Sequence, residues 1–391
     1  MAAVAVGSTV GLEDMVQRAY DLLPRLRERA ALTESLGHLP PETVADFRDG
    51  QFFRIFQPRR FGGLELDYGR AQVELCSVLG QACGSSAWAQ MVVACHAWCL
   101  AMFPEAAQQA VWGDDPETLV ASAFGFSTGK GRAMEGGFWV EGDWICSSGS
   151  DLCRWIILGT RLEQPGPPKI IWTLLPREDW HILDTWHAAG LKGTASNDVH
   201  VPGAFVPAER SLDISFAAST EPTPGSQVNP NPMYALPLAG FFPFNVTTEA
   251  LGIARGAIDA FADQLAGRGD RPNLVGRQIR LAESAAEVDA AIALIRADVE
   301  VIDAILHRAF PVESLFQAKL ARDLSFMVKL CGQAVDRLAS ATGAHGMADD
   351  NPVHRASRDI HAIANHNVNN WEFQALGYSR ARTGLPPISM F

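Results

Sequence analysis

The clearest indication of the fold lies in residues 139–183, WVEGDWICSSGSDLCRWIILGTRLEQPGPPKIIWTLLPREDWHIL. Four short segments of this stretch are rich in aromatic and β-branched residues, and clusters of Gly, Pro or Asp separate them. This pattern is typical of antiparallel strands joined by tight turns. The predicted strands cover residues 139–145, 155–158, 170–175 and 180–183. We therefore expect a β domain over residues 116–218.

Apolar residues recur at helical spacing on both sides of this β zone. Residues 1–115 predict an N-terminal helical domain, residues 219–234 form a Pro- and Asn-rich linker, and residues 235–391 return to the helical period. Four long stripes joined by short loops in this last part predict an antiparallel four-helix bundle. The stripes cover residues 252–265, 274–306, 315–338 and 353–376. The expected fold is mainly α with a central β domain.

Composition narrows the class of protein. The chain has 391 residues, 48% of them hydrophobic, and a formal net charge of −12, which disfavours nucleic acid as a partner. The longest apolar run, residues 91–103, is too short to cross a bilayer, and no basic n-region with an apolar stretch opens the chain. The seven cysteines form no CxxC pair and lie mostly in apolar segments, as expected of free thiols. We expect a cytoplasmic protein without a membrane partner.

Several catalytic and ligand-binding motifs are missing from the sequence. No GxGxxG follows a predicted strand, so a nicotinamide dinucleotide site is not supported. Walker A, GxSxG and HExxH are also absent. His354 and His361 share a helix face, but His366 points away from them, and the Cys95-His96-Cys99 cluster lacks a fourth ligand with sensible spacing. We predict no metal site.

Five local motifs follow one another in a family-specific order. They are Pro-Arg-Arg-Phe-Gly-Gly at 58–63, Ala-Cys-Gly-Ser-Ser-Ala-Trp at 82–88, Trp-Ile-Cys-Ser-Ser-Gly at 144–149, Gly-Leu-Lys-Gly-Thr at 190–194, and Gly-Ala-His-Gly at 343–346 with the Arg-Asp pair at 358–359. In this order the chain resembles the acyl-CoA dehydrogenase fold over almost its whole length. It is most similar to the flavin-dependent monooxygenase branch, whose members are oxygenase components of two-component aromatic hydroxylases.

The chain departs from the dehydrogenases at their catalytic base. Those enzymes use a carboxylate to remove a proton α to a thioester, and the family position for it falls on Asn367. The alternative position falls within residues 237–244, which contain no Asp or Glu. An amide cannot take that proton at neutral pH. Dehydrogenation of an acyl-CoA is therefore a secondary alternative.

The resemblance implies two catalytic side chains. A histidine of the fourth bundle helix faces the substrate in the monooxygenase branch, which assigns His366 as the base or orienting group for a phenol or indole. A serine at the end of the flavin-side strand accepts from the flavin N5–H and slows decay of the C4a-hydroperoxide to H2O2. Ser147 matches that position. Ser148 is one residue away, and strand alternation leaves the choice between them open.

Further residues are assigned to the pocket by the same resemblance. His96 and Trp98 lie on the substrate-side helix, and Asn367 and Asn370 follow on the bundle side. His96 is equally consistent with a core histidine whose nitrogens are satisfied. Trp144 is assigned to the side of the flavin ring, although a core tryptophan is as natural there.

The resemblance also implies how the flavin phosphates are held. Arg271 is similar to the family arginine that reaches the cofactor of a neighbouring subunit, and Arg268 is its competitor. Gly343 and Gly346 would let backbone amides approach the same phosphates. These features favour FAD over FMN and a homotetramer.

The implied reaction starts with reduced flavin delivered by a separate NAD(P)H:flavin reductase. O2 is the co-substrate, and one oxygen atom passes to an electron-rich aromatic ring of the phenol or indole type. Bacterial secondary metabolism or aromatic catabolism is the expected setting. A monooxygenase acting on sulfur or nitrogen is the alternative, since it differs only in the contents of the pocket.

Overall fold

The structure, a computed structural model, describes residues 10–126, 128–166, 169–215, 222–267, 269, 271–308 and 312–386. Helices α1 to α5 occupy the first part of the chain, and every residue of α4 is buried. A helix that is apolar on all sides belongs in the interior, and α4 forms the centre of the core. The bounds are α1 Leu12–Leu36, α2 Pro41–Asp49, α3 Tyr68–Leu79, α4 Gly84–Leu100 and α5 Glu105–Trp112.

A nine-stranded sheet follows within the described residues, with a main strand order β7-β8-β4-β3-β5-β6-β9. Most pairs are antiparallel, but β1 and β3 each pair with β5 in parallel, a feature that the sequence pattern did not predict. Alternation of side chains defines a strand but not its direction. In the chain, β4 lies between β3 and β5, and β2 to β4 lie between β1 and β5. The bounds are β1 Val120–Ala123, β2 Gly125–Phe126, β3 Lys130–Met134, β4 Gly137–Ser147, β5 Trp155–Leu162, β6 Lys169–Pro176, β7 His181–Leu183, β8 Asn197–Pro207 and β9 Ser211–Asp213.

Strand β4 contains a bulge at its carboxyl end. Trp144 pairs with Val199 and Ser147 pairs with Asn197, so three steps along β4 correspond to two along β8. Within the bulge, Cys146 has a φ of 59°, in the left-handed region. A bulge interrupts the alternation of faces and redirects the side chains that follow. It therefore decides which way Ser147 points.

The C-terminal part is helical, and the predicted mainly α fold with a central β domain is confirmed. The bounds are α6 Leu238–Phe241, α7 Glu249–Ala266, α8 Val275–Arg308, α9 Ser314–Ala339, α10 Pro352–Ala364 and α11 Trp371–Arg382. The domain limits at residues 115, 218 and 234 stay predictions. No helix in the described ranges is long and apolar enough to cross a membrane.

The prediction of one helix over residues 353–376 is wrong, because α10 ends at Ala364 and α11 begins at Trp371. His366 lies in the break, at the start of a short 3-10 turn, instead of on a helix. The cause is local, since Asn370 accepts a hydrogen bond from the backbone N–H of Phe373 at 2.9 Å and caps α11. Asparagine favours such caps over helix interiors.

The loop before β8 approaches α10 at van der Waals distance. A Cβ added to Gly190 would lie 1.9 Å from the carbonyl oxygen of Arg358. The next residue, Leu191, donates its N–H to Oδ1 of Asp359 at 2.7 Å. The β domain and the bundle are joined at this point without room for any side chain.

We expect Gly190→Ala to lower the free energy of unfolding by roughly 2–3 kcal/mol, because backbone on both sides would have to separate. Urea unfolding followed by circular dichroism measures the change. The matched control is Gly332→Ala in α9, where an added Cβ meets nothing within 4 Å and helix propensity predicts a small gain. Equal stability of the two variants would contradict the close contact.

Candidate functional site

The end of β4 carries a buried hydroxyl group without a partner. Ser147 has no exposed surface, and its Oγ has no hydrogen-bond partner among the described residues. Buried polar groups in folded proteins are nearly always paired, so an unpaired one requires an explanation. A bound group that offers an N–H or O–H at this point would satisfy Ser147. The residue therefore fits the ring N–H that the sequence analysis assigned to it.

The neighbouring serine is already used by the fold. Ser148 Oγ accepts a hydrogen bond from the indole Nε1–H of Trp88 at 3.0 Å and lies 2.7 Å from Oγ of Ser196. These contacts occupy its donor and one of its acceptor positions. Of the two serines, Ser147 is the one with a free hydroxyl.

His366 lies on the other side of Trp88. The centroids of the two rings are 6.0 Å apart and their planes are inclined by 59°. The imidazole is partly buried, and desolvation lowers its pKa to about 4, so the ring is neutral at pH 7. Its Nδ1 accepts from the backbone N–H of Val368 at 3.4 Å, which leaves the proton of the neutral ring on Nε2. Trp88 thus connects the serine end of β4 to His366.

His96 has two hydrogen-bond partners in the core. Its Nδ1–H donates to the carbonyl oxygen of Val120 at 2.8 Å, and its Nε2 accepts from the hydroxyl of Ser122 at 2.7 Å. Burial lowers the pKa of His96 to about 4. This arrangement matches a core histidine, which was one of the two alternatives that the sequence left open for His96. A pocket role for His96 stays a prediction. Sequence reasoning missed Ser122, since pairing across 26 positions leaves no local signal.

The neutral state of His96 predicts an acid-sensitive contribution to stability. Its pKa is 6.5 when unfolded and about 4 when folded. The contribution is therefore complete above pH 6.5 and is lost as the pH falls towards 4. Asp359, whose pKa burial raises to about 6, has the opposite slope, so a variant comparison is needed to separate the two.

The difference in unfolding free energy between wild type and His96→Gln should shrink by about 3 kcal/mol from pH 7 to pH 4. Urea unfolding at a series of pH values measures it. His187→Gln, at an exposed histidine, serves as the control for the replacement of a histidine. A difference for His96→Gln that stays constant over this range would contradict the prediction, because it would show that His96 binds its proton equally well in the folded and unfolded protein.

The two tryptophans assigned to the pocket are bonded within the core. Trp144 donates its indole N–H to the carbonyl of Gly159 at 2.7 Å, and Trp98 donates to the carbonyl of Met233 at 2.8 Å. The ring of Trp98 also packs on Tyr68, with centroids 4.3 Å apart. Both are fully buried. These contacts account for both residues as core tryptophans, and their pocket roles stay predictions.

The two asparagines assigned to the substrate are differently placed. Asn367 is exposed in the turn after His366, and the side chain of Asn370 caps α11. Capping engages the Asn370 carbonyl oxygen with the backbone. Substrate contact by either residue stays a prediction.

The glycine loop before α10 forms a tight turn beside Arg277. Gly343 has a φ of 81°, and Nη2 of Arg277 lies 3.4 Å from the position of an added Cβ. The N–H of Gly346 donates back to the carbonyl of Gly343 at 2.9 Å and closes the turn. Arg271 is exposed at the start of a 3-10 turn, and Arg268 lies outside the described residues. Arg277, six positions after Arg271, was not among the residues that the sequence predicted for this site.

Among the residues that the structure describes, no group of three or more His, Cys, Asp or Glu side chains could hold a metal ion. All seven cysteines are free thiols.

The fold and this site define the class of the protein as an acyl-CoA dehydrogenase-fold flavoenzyme. The family described as acyl-CoA dehydrogenase, C-terminal domain, matches residues 246–371. A crystal structure of the HsaA monooxygenase from Mycobacterium tuberculosis superposes with a TM-score of 0.92 and 32% identity, covering 97% of this chain and 99% of that one.

The relatives narrow the class further. The chain is 34% identical, over 95% of its length and 98% of the relative's, to the flavin-dependent monooxygenase oxygenase subunit HsaA of Rhodococcus jostii. It is 31% identical to the oxygenase component of an FADH2-dependent resorcinol hydroxylase of Rhizobium sp., over 96% of both chains. The chain belongs to the flavin-dependent monooxygenase oxygenase subunits, and the predicted resemblance is confirmed.

Proposed function

We propose that this protein is the oxygenase component of a two-component flavin hydroxylase, which uses reduced FAD and O2 to hydroxylate an electron-rich aromatic ring. The observation that carries the proposal is the buried, unpartnered hydroxyl of Ser147, one residue from the serine that connects through Trp88 to His366. Bound reduced flavin supplies the activation of O2 and the transfer of one oxygen atom. The side chains bind, orient and exclude water.

Ser147 is proposed to hold a proton on the flavin. Its Oγ has no partner among the described residues and has lone pairs that can accept from N5–H. Retention of this proton disfavours release of H2O2. Family membership and the free hydroxyl both support the assignment.

His366 is proposed to orient the substrate. The neutral ring with its proton on Nε2 can donate to a phenol or phenolate oxygen, while Nδ1 stays with Val368. This tautomer favours the orienting role over that of a base.

The phosphates of FAD are proposed to bind at the loop of Gly343 and Gly346, with Arg277 as a guanidinium donor in addition to Arg271. Two positive side chains suit a pyrophosphate better than a single phosphate, which supports FAD over FMN. We further propose a homotetramer, a separate NAD(P)H:flavin reductase as partner, and a cytoplasmic location, which free thiols favour.

The substrate class is proposed to be phenols and indoles. The resorcinol hydroxylase relative is named for a phenol, and an indole-3-acetate monooxygenase of Pseudomonas putida is 26% identical over 88% of this chain. The dehydrogenase alternative needs an ionised carboxylate. Asn367 offers none, and burial raises the pKa of Glu249 at the start of α7 well above its usual range, which disfavours its ionised form.

The function is tested by mixing the protein and anaerobically reduced FAD with buffer containing isotopically labelled O2 and a panel of phenols, indoles, sulfides and amines. One labelled oxygen atom in a phenol or indole product is the expected result, and reduced FMN serves as the cofactor comparison. Label only in a sulfoxide or an N-oxide would favour the heteroatom alternative. Complete conversion of reduced flavin to H2O2 with every compound would contradict the proposal.

A further inference from the structure

Four buried polar side chains form a continuous line of hydrogen bonds beside Ser147. The indole N–H of Trp88 donates to Ser148 Oγ at 3.0 Å, and Ser148 Oγ lies 2.7 Å from Ser196 Oγ. Ser196 Oγ lies 2.6 Å from Thr194 Oγ1, which donates to the carbonyl oxygen of Leu191 at 2.9 Å. We refer to Trp88, Ser148, Ser196 and Thr194 as the hydroxyl chain.

The direction of every hydrogen bond in the hydroxyl chain is determined by its two ends. An indole N–H can only donate and a carbonyl oxygen can only accept, while each hydroxyl has a single proton. Thr194 gives its proton to Leu191, so it accepts from Ser196, and Ser196 in turn accepts from Ser148. Removal of the Ser148 or the Ser196 hydroxyl leaves a buried donor without its acceptor on one side and a hydroxyl without its donor on the other. Removal of the Thr194 hydroxyl leaves Ser196 without its acceptor, while the carbonyl oxygen of Leu191 still accepts from the indole N–H of Trp186 at 3.0 Å.

The ends of the hydroxyl chain connect to both parts of the proposed site. At one end Ser148 directly follows Ser147, and the ring of Trp88 lies against His366. At the other end the N–H of Leu191 donates to Asp359 of α10, the helix that leads to His366. A continuous series of contacts therefore links the end of β4 to the break after α10.

Strained backbone accompanies the hydroxyl chain. Three non-glycine residues beside it have positive φ, namely Cys146 at 59°, Leu191 at 50° and Ala195 at 47°. Such conformations persist only where the surrounding contacts hold them. Ala195 lies between Thr194 and Ser196, and Cys146 lies in the bulge before Ser147, so the hydroxyl chain is well placed to hold both.

We infer that Ser196 and Thr194 are positioning residues for hydroxylation: through Ser148 and Trp88 they hold Ser147 and His366 in one arrangement. The inference rests on the proposed function for the reaction that it serves. Neither residue is assigned a contact with flavin or substrate. They act by holding the side chains of Ser147 and His366 in position.

The test compares Ser196→Ala, which removes the hydroxyl, with Ser196→Thr, which keeps it. Ser196→Ala should raise the fraction of reduced flavin that ends as H2O2 at least threefold, and Ser196→Thr should restore most of the product. A second readout needs neither flavin nor substrate. The indole N–H resonance of Trp88, assigned by its loss in Trp88→Phe, should shift in Ser196→Ala because its acceptor Ser148 reorients.

The matched control is Thr173→Val. Thr160 on β5 and Thr173 on β6 form another buried hydroxyl pair, with their Oγ1 atoms 2.8 Å apart. This variant should lose stability without changing the H2O2 fraction or the Trp88 resonance. If Ser196→Ala does not fold, Thr194→Val against Thr194→Ser repeats the comparison at the next position.

An unchanged H2O2 fraction and an unchanged Trp88 resonance in both Ser196→Ala and Thr194→Val would overturn the inference, as would an equal rise of H2O2 in Thr173→Val. Failure of the wild-type protein to make any hydroxylated product would overturn the proposed function instead. The Trp88 resonance would still decide whether the hydroxyl chain holds Trp88.

Discussion

Ser147→Ala is expected to raise the release of H2O2 relative to hydroxylated product about tenfold, the effect of one hydrogen bond of about 1.4 kcal/mol. The stability of the protein should not fall, because the Ser147 hydroxyl has no partner to lose. Removal of an unpaired buried hydroxyl is neutral or stabilising. The ratio of H2O2 to product, with thermal unfolding of the protein alone, measures both effects.

Ser148→Ala is the control, and unlike Ser147→Ala it should lower the stability of the protein. It leaves the indole N–H of Trp88 and the hydroxyl of Ser196 without their partner, at a cost of about 1–3 kcal/mol. A stability loss in Ser147→Ala equal to that of Ser148→Ala would mean that Ser147 is also bonded within the protein. A ratio of H2O2 to product that is unchanged in Ser147→Ala would remove its proposed role.

His366→Ala should reduce the rate of hydroxylation about 100-fold, within the range found when an orienting or proton-transferring group is removed. Single-turnover product formation with preloaded reduced flavin is the appropriate measurement, because it separates this step from flavin binding. His366→Gln keeps an N–H donor on a side chain of similar length, and we expect partial recovery. Loss of product without any change of rate constant would indicate a binding defect instead.

His361→Ala provides the matched control for His366→Ala. It removes a histidine from α10, five positions earlier, where the ring is exposed and pairs with Asp336 at 3.0 Å. Its hydroxylation rate should equal that of the wild type. A similar loss in both variants would show that the effect comes from α10 and not from the ring beside Trp88.

The low pKa of His366 predicts how the effect depends on pH. Because the pKa is lowered to about 4, the ring is neutral throughout the neutral range and gains its proton only as the pH falls through that value. The ratio of rates between wild type and His366→Gln should therefore be constant from pH 8 to about pH 5. A ratio that changes near pH 6.5 would show that the ring is solvated.

Much of the fold could be predicted because its signals are local. A strand was expected over 139–145 and β4 covers Gly137–Ser147, and the stripe over 315–338 corresponds to α9 at Ser314–Ala339. Side-chain periodicity depends only on neighbours in the chain. The break after α10 was missed although Asn365, Asn367, Asn369 and Asn370 signal it, since the apolar stripe continues across them.

The site was less accessible to sequence reasoning at single-residue scale. Ser147 and Ser148 are adjacent and identical, so only the bulge of β4 and the contacts of Ser148 distinguish them. The break after α10 likewise determines where His366 lies. Prediction from sequence assumes that side chains alternate regularly along a strand and that helices are regular. Both assumptions fail at a bulge and at a helix break.

The order of helical and β segments, the family, and the residue types that the chemistry requires all follow from the sequence alone. Which of these residues come into contact depends on the tertiary structure. Trp88 is hydrogen-bonded to Ser148 across 60 positions of the sequence, and Leu191 is hydrogen-bonded to Asp359 across 168. The physical reason is that hydrophobic periodicity is a property of each segment, whereas a hydrogen bond between distant segments depends on how the packed elements dock and how the backbone bends between them.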